Sequence, residues 1–244
     1  VEGKRGGEGK GRDRRGPHPA PPAHALPPQL TVYTGLMLLG MYALAREPWI
    51  THTPSLWAGW PAHPLPRPIA AYYLAEGAFY TASLGMLVGW ETRRADFWAM
   101  AVHHGVTAFL VAASHALRYH RVGALAMVLH DPSDVLLEAA KLASYARRER
   151  AAAALFAALI ASWAVLRLAA FPRIVWSCWA DPPAALGGHP VGCLEMAAGL
   201  SLLVCLHVYW GAIIAAVAAR RVRGGGLADA REEEEEGEGR AKAR

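Results

Sequence analysis

The chain has 244 residues, a net charge of +5 and 54% hydrophobic residues. The apolar residues come in long runs, which argues against an ordinary soluble domain and for a polytopic membrane protein. No internal repeat is present, which excludes a repeat array.

In chain order, residues 1–29 are rich in Gly, Arg and Pro and carry almost no apolar side chains. Such a stretch cannot build a core and is expected to be a disordered, solvated basic tail. No short apolar segment follows its basic residues, so it does not read as a cleavable signal. Residues 30–221 hold the apolar runs. Leu30–Ala45 is a short first span. Arg46–Pro68 is a loop rich in Pro and Trp, whose Trp49, Trp57 and Trp60 suit an interfacial belt. Ile69–Trp90 is a full span containing Glu76, read either as a functional acid or as a buried hydrogen-bond partner. Glu91–Asp96 is a charged turn.

Two spans follow, Phe97–Leu117 and Val122–Ala146, joined by a short connection around Arg118–Arg121 that makes them antiparallel neighbours. Ala151–Phe171 is the next span, with Arg167 near its end, where it can snorkel, and Pro172 as the stop. A Pro/Gly loop over Asp181–Gly192 leads to the last span, Cys193–Ala219. Cys178 and Cys193 bracket this loop and are expected as free thiols rather than a disulfide. Residues 222–244 form a hydrophilic tail with the run Glu232–Glu236 and no Ser, Thr or Tyr. That tail is expected to be disordered and constitutively acidic. The fold expected is all-α: a polytopic membrane helical bundle of about six transmembrane helices.

The segment His103–Lys141 stands out. Its two apolar helices carry His103, His104, His130, Asp131, Asp134, Glu138 and Lys141. On insertion scales a central Asp costs about 2.5–3.5 kcal/mol, while each Val or Leu contributes only about 0.3–0.6 in favour. The Val and Leu residues of the second helix do not offset Asp131 and Asp134. Intramembrane ionisable groups of this kind turn toward other helices or a water-filled cavity and are candidates for function. Asp131, Asp134, Glu138 and Lys141 fall at i, i+3, i+7 and i+10, a single helical stripe with His130 at its edge. On the preceding helix His103, Thr107 and Ser114 share a face, and His104 lies roughly 100° round from His103. The plainer alternative is polar glue between helices, worth only about 0.6 kcal/mol per bond on average. Chemistry is favoured for His103, His104, His130, Asp131 and Asp134. Glu138 and Lys141, three residues apart, are read as a simple pair. His207 in the last span is either a packed histidine or part of a substrate-lined wall.

An HH pair, an R-x-G turn and HDPSDVLLEAAK together resemble the signature of the TLC-domain ceramide synthases of the longevity-assurance type. REPWITHTPSLWAGWP, YYLAEGAFY, WETRRADF, SWAVLRLAAFP and LHVYW are similar to the plant branch of that family. The resemblance covers about Tyr42–Arg221. Members normally carry a further membrane helix ahead of this segment, which residues 1–29 do not supply. Two positions depart from the pattern. Pro132 stands where a small residue is usual and predicts a kinked or locally irregular helix beside the site. His115 stands where Tyr is usual.

The resemblance implies a sphingoid-base N-acyltransferase that joins a fatty acyl group from acyl-CoA to sphinganine or phytosphingosine. It implies catalytic His103, His104, His130, Asp131 and Asp134. Substrate contacts are expected from Arg93, Arg94, Ser114, Arg121, Glu138, Lys141 and His207, with Arg93 and Arg94 read either as meeting the CoA phosphates or as a positive-inside anchor. It implies no metal, no cofactor beyond acyl-CoA as co-substrate, membrane lipid as partner and no nucleic acid. A homo- or heterodimer is admitted. Either a histidine takes the amine proton while a carboxylate orients it, or an imidazole accepts the acyl group first. The alternatives are a metal-dependent lipid hydroxylase and a non-enzymatic TLC-type lipid carrier or sensor. Lys and Arg cluster at alternate span ends. The N-terminal tail, Arg93–Arg94, Arg147–Arg148–Arg150 and Arg220–Arg221–Arg223 therefore fall on one side, which predicts a multi-pass endoplasmic reticulum protein with both tails cytosolic.

Overall fold

The computed structural model describes residues 28–89 and 96–222. The expectations for both tails, for the Glu91–Asp96 turn and for Arg93 and Arg94 fall outside these residues, apart from Asp96 itself. Among the described residues there are six long helices and no strand. They are α1 (Pro28–Leu44), α2 (Arg67–Gly89), α3 (Phe97–Ala116), α4 (His120–Tyr145), α5 (Glu149–Leu186) and α6 (Cys193–Val222). Three of them are long and apolar enough to cross a membrane on composition alone: α3, α5 and α6. Helix α4 falls short because it carries the Asp, Glu and Lys residues of the polar stripe. At 1.5 Å per residue, the 20 residues of α3 span about 30 Å, the thickness of a bilayer core.

The helices close into a ring. Each packs on the next, α1 on α2, α2 on α3, α3 on α6, α6 on α5, α5 on α4, and α4 back on α1. The expected neighbours α3 and α4 do touch. Each nevertheless packs more closely on others, α3 on α2 and α6, and α4 on α1 and α5. The outer faces of the other five helices carry exposed apolar side chains such as Leu38, Leu74, Trp98, Phe109, Val165, Trp176 and Val208, whereas α4 exposes none before Tyr145. Helix α4 is thus the most sheltered member of the ring, which is how it carries its ionisable groups.

The segment between α1 and α2 is a plug at one end of the ring. Its tryptophans do not form an exposed belt. Trp49 and Trp57 are buried, and Trp60 stacks on Tyr119 with ring centroids 5.5 Å apart and donates to the Leu117 carbonyl (3.1 Å). The apolar core runs from this plug through Tyr72, Tyr73, Leu110, Val122, Leu125 and Met127 to Phe171, Met196 and Leu200.

Helix α5 corrects two expectations. It does not stop at Pro172, and the segment after Asp181 is helical as far as Leu186. Between Trp163 and Ala170 the helix widens into π geometry, and Pro172 follows in the first turn where α geometry resumes. Gly187, at φ 77°, takes the left-handed conformation that closes the helix, its N–H bonded to the Pro183 carbonyl at 3.1 Å. Helix α4 continues in α geometry through Pro132, so the proline does not break it. The facing helix carries the π segment. Cys178 and Cys193 are free and buried, with the Cys193 thiol 3.6 Å from the Cys178 carbonyl.

Candidate active site

All six helices line one cavity of about 150 Å³. Helix α3 contributes His103 and His104, and α4 contributes Asp134, Glu138 and Lys141. Trp163 and Arg167 come from α5, Trp210 from α6, Tyr80 from α2 and Tyr33 from α1. His103 and His104 lie side by side in the cavity wall. A step of 100° on a helix still lets both rings border one opening, and their centroids lie 5.4 Å from each other. His103 also meets the Trp210 ring edge to face at 5.4 Å.

His103 and Tyr80 also border a narrower, apolar slot of about 40 Å³ that continues between α3, α4 and α6. Its walls include Leu110, Met127, Phe171 and Leu203. His130 and Ser114 open onto this slot rather than the main cavity. Ser114 is fully enclosed, between the Tyr73 hydroxyl (3.2 Å) and the Val111 carbonyl (3.1 Å).

The charged groups of α4 divide between neighbours. Asp134 accepts from Arg167 Nη2 at 2.6 Å. The same nitrogen donates to the His130 carbonyl at 3.0 Å, and the guanidinium lies 4.4 Å over the Trp163 ring. Arg167 is only 3% exposed, so it does not snorkel to the boundary as expected. The π turn swings it inward, where a buried cation finds a carboxylate, a carbonyl and an aromatic face together. Asp131 does not line the cavity. It accepts from the Tyr72 hydroxyl at 2.7 Å and lies next to Glu76, so that the stripe's first carboxylate faces α2. Glu76 is buried, with its Oε1 unbonded. Glu138 and Lys141 do pair, at 2.9 Å, and the pair lies in the cavity wall.

His130 bonds the Ala126 carbonyl through Nδ1 (2.6 Å) and His207 through Nε2 (3.0 Å). A carbonyl only accepts, so Nδ1 carries the His130 proton and its Nε2 is a bare acceptor. His207 must then donate from Nε2, and its Nδ1 is left as an enclosed lone pair. Trp163 donates to the His207 carbonyl at 3.1 Å, so the histidine pair and the Arg167 cluster share one indole. Arg121 is placed elsewhere. It holds the plug by bonds to the Ser55 (2.6 Å) and Ala58 (3.2 Å) carbonyls.

A family model described as TLC domain matches residues 29–216. The chain belongs to the TLC-domain family. Similar TLC-domain relatives include ceramide synthase hyl-2 of Caenorhabditis elegans, 31% identical over 214 residues, covering 84% of this chain and 65% of the worm protein. An ASC1-like protein of Solanum lycopersicum is 35% identical over 195 residues, 74% of this chain and 63% of that protein. Ceramide synthase LOH2 of Arabidopsis thaliana is 32% identical over 205 residues, 81% of this chain and 69% of that protein. The chain thus spans somewhat less than two thirds of the worm and tomato proteins and slightly more of the Arabidopsis one. Three site residues escape a reading of the TLC motif alone: Tyr72, Trp163 and Arg167. Arg167 was within reach, since the cost that singles out Asp134 applies equally to an arginine four residues inside an apolar run.

Proposed function

We propose that this protein is a ceramide synthase of the endoplasmic reticulum membrane with both tails in the cytosol. It joins a long-chain acyl group from acyl-CoA to the amine of a sphingoid base. The observation that carries this reading is the cavity that sets His103, His104, Asp134 and Arg167 beside an apolar slot, within a chain whose relatives are named ceramide synthases. The slot is apolar, though at about 40 Å³ it is too small for a whole acyl chain, and the polar chamber suits the reacting head.

A thioester is already electrophilic, so the site must supply a deprotonated amine and a stabilised oxyanion. His103, whose ring lies at the junction of chamber and slot, takes the amine proton. The C–N bond forms, the tetrahedral intermediate collapses, the C–S bond breaks and CoA leaves as the thiolate. Transfer through an acyl-imidazole uses the same groups in two steps. Arg93 and Arg94 are assigned to the CoA phosphates.

The test is an assay of purified full-length protein with sphinganine and acyl-CoAs of graded chain length. Ceramide should form, and His103→Ala, His104→Ala, Asp131→Ala and Asp134→Ala should each abolish most of it at equal accumulation. No product with any donor, or undiminished rates in all four variants, would reject the reading.

A further inference from the structure

We propose that Arg167 is a catalytic residue that binds the oxyanion of the tetrahedral intermediate. This rests on the acyl-transfer reading above. A guanidinium has five N–H donors. Two are spent, both at Nη2, on Asp134 and the His130 carbonyl. Nε is unbonded but enclosed, so it does not face the cavity; Nη1 makes no hydrogen bond among the described residues and is the donor left for a ligand. Buried donors are nearly always satisfied in folded proteins. An arginine that only tied α4 to α5 would have no reason to sit in a cavity wall with donors to spare.

The surroundings hold the group still. Asp134 and the His130 carbonyl fix one edge of the guanidinium, and Trp163 covers a face. A cation fixed in this way, away from bulk water, stabilises developing negative charge without having to reorganise. The π segment that aims it is a distortion often found where a helix serves a site. Glu138 is the other carboxylate in the cavity lining, and it is occupied by Lys141. When the amine adds to the acyl carbon, the carbonyl π electrons move to oxygen, and Arg167 receives that charge. On collapse the charge departs with the CoA thiolate.

Full-length wild type, Arg167→Met and Arg167→Lys are compared in lipid nanodiscs by two measurements. The first is steady-state kinetics with sphinganine and the best acyl-CoA. Arg167→Met should lose about a hundredfold in kcat, the range seen on removing an oxyanion donor, with little change in KM. Arg167→Lys should lose less but remain impaired, because one ammonium cannot both hold Asp134 and serve the cavity. The second is binding of hexadecylphosphonate, an anion with a tetrahedral head, against neutral hexadecanol. Wild type should hold the phosphonate at least about tenfold more tightly than either variant, in line with a charge-assisted bond, and hexadecanol equally. An inert wild type that still shows this anion preference would reject the ceramide synthase reading and keep Arg167 as an anion site. Should Arg167→Met not fold, Arg167→Lys decides. Unchanged kcat in a folded variant, or equal phosphonate binding, overturns the proposal.

Discussion

His207 on α6 donates a hydrogen bond from Nε2 to His130 Nε2 on α4 across 3.0 Å, with neither ring open to solvent. The Ala126 carbonyl sets the direction of this bond, because it claims the His130 Nδ1 proton. Replacing His207 with Leu leaves the His130 lone pair enclosed without a donor, which costs about 1–3 kcal/mol. His207→Gln keeps an N–H and should recover part of that loss. Thermal unfolding of the two variants beside wild type checks the order, and a Gln variant no better than Leu would contradict the assigned direction.

Much of this site was legible because ionisable groups are expensive in apolar helices. His103, His104, Asp134, Glu138 and Lys141 were found on that ground, and they do share one cavity. The six-helix bundle followed from the lengths of the apolar runs. The partners of the motif residues were not legible. Spacing along α4 puts Asp131 and Asp134 on one stripe, but only the packing of α2 and α5 decides that one meets Tyr72 and the other Arg167. The inward turn of Arg167 depends on a π segment with no composition signal of its own. Trp49 and Trp57 were misjudged for a similar reason. An aromatic suited to a membrane interface is equally suited to a buried plug.

Tyr72 is expected to matter through its hydroxyl more than its ring. The ring lies so close to α1 that a Cβ on Gly40 would come within 2.7 Å of it, and the hydroxyl donates to Asp131. Tyr72→Phe keeps the packing and removes the bond. A net hydrogen bond contributes about 0.5–1.5 kcal/mol, and more where the acceptor is charged. If the bond is the cause, Tyr72→Phe should have little effect once Asp131 is Ala. A double-mutant cycle read by thermal unfolding measures this, and additive losses would contradict it.

Gly123 is the point where α4 passes Tyr73. A Cβ there would collide with the Tyr73 hydroxyl, which is pinned by Ser114 (3.2 Å) and the His120 carbonyl (3.3 Å). Gly123→Ala should therefore destabilise the protein by about 1–3 kcal/mol, as overpacking does, despite alanine's better helix propensity. Adding Tyr73→Phe removes the colliding oxygen and should restore part of the stability. A Gly123→Ala protein that melts at or above the wild-type temperature would refute this.

His63 gives the plug a pH response. Its Nε2 donates to the Ala58 carbonyl at 2.6 Å, and Arg121 donates to that same oxygen at 3.2 Å. Nδ1 is enclosed and has no acceptor, so a second proton there would be buried without a partner beside a guanidinium. Burial first, and Arg121 second, hold His63 below its ordinary value of 6.5, with the Ala58 bond opposing them. The unfolded chain therefore binds more protons than the folded one as the pH drops below about 6.5. Its contribution to stability is complete above that value and declines as the pH falls toward the depressed folded value. His63→Gln can keep a donor to Ala58 without titrating. Melting temperatures of wild type and His63→Gln should run parallel from pH 8 to 7, and wild type should then fall faster between pH 6.5 and 5. Parallel curves across the whole range would show that His63 protonates as readily in the folded protein as in the unfolded chain, and the roles assigned to burial and Arg121 would be wrong.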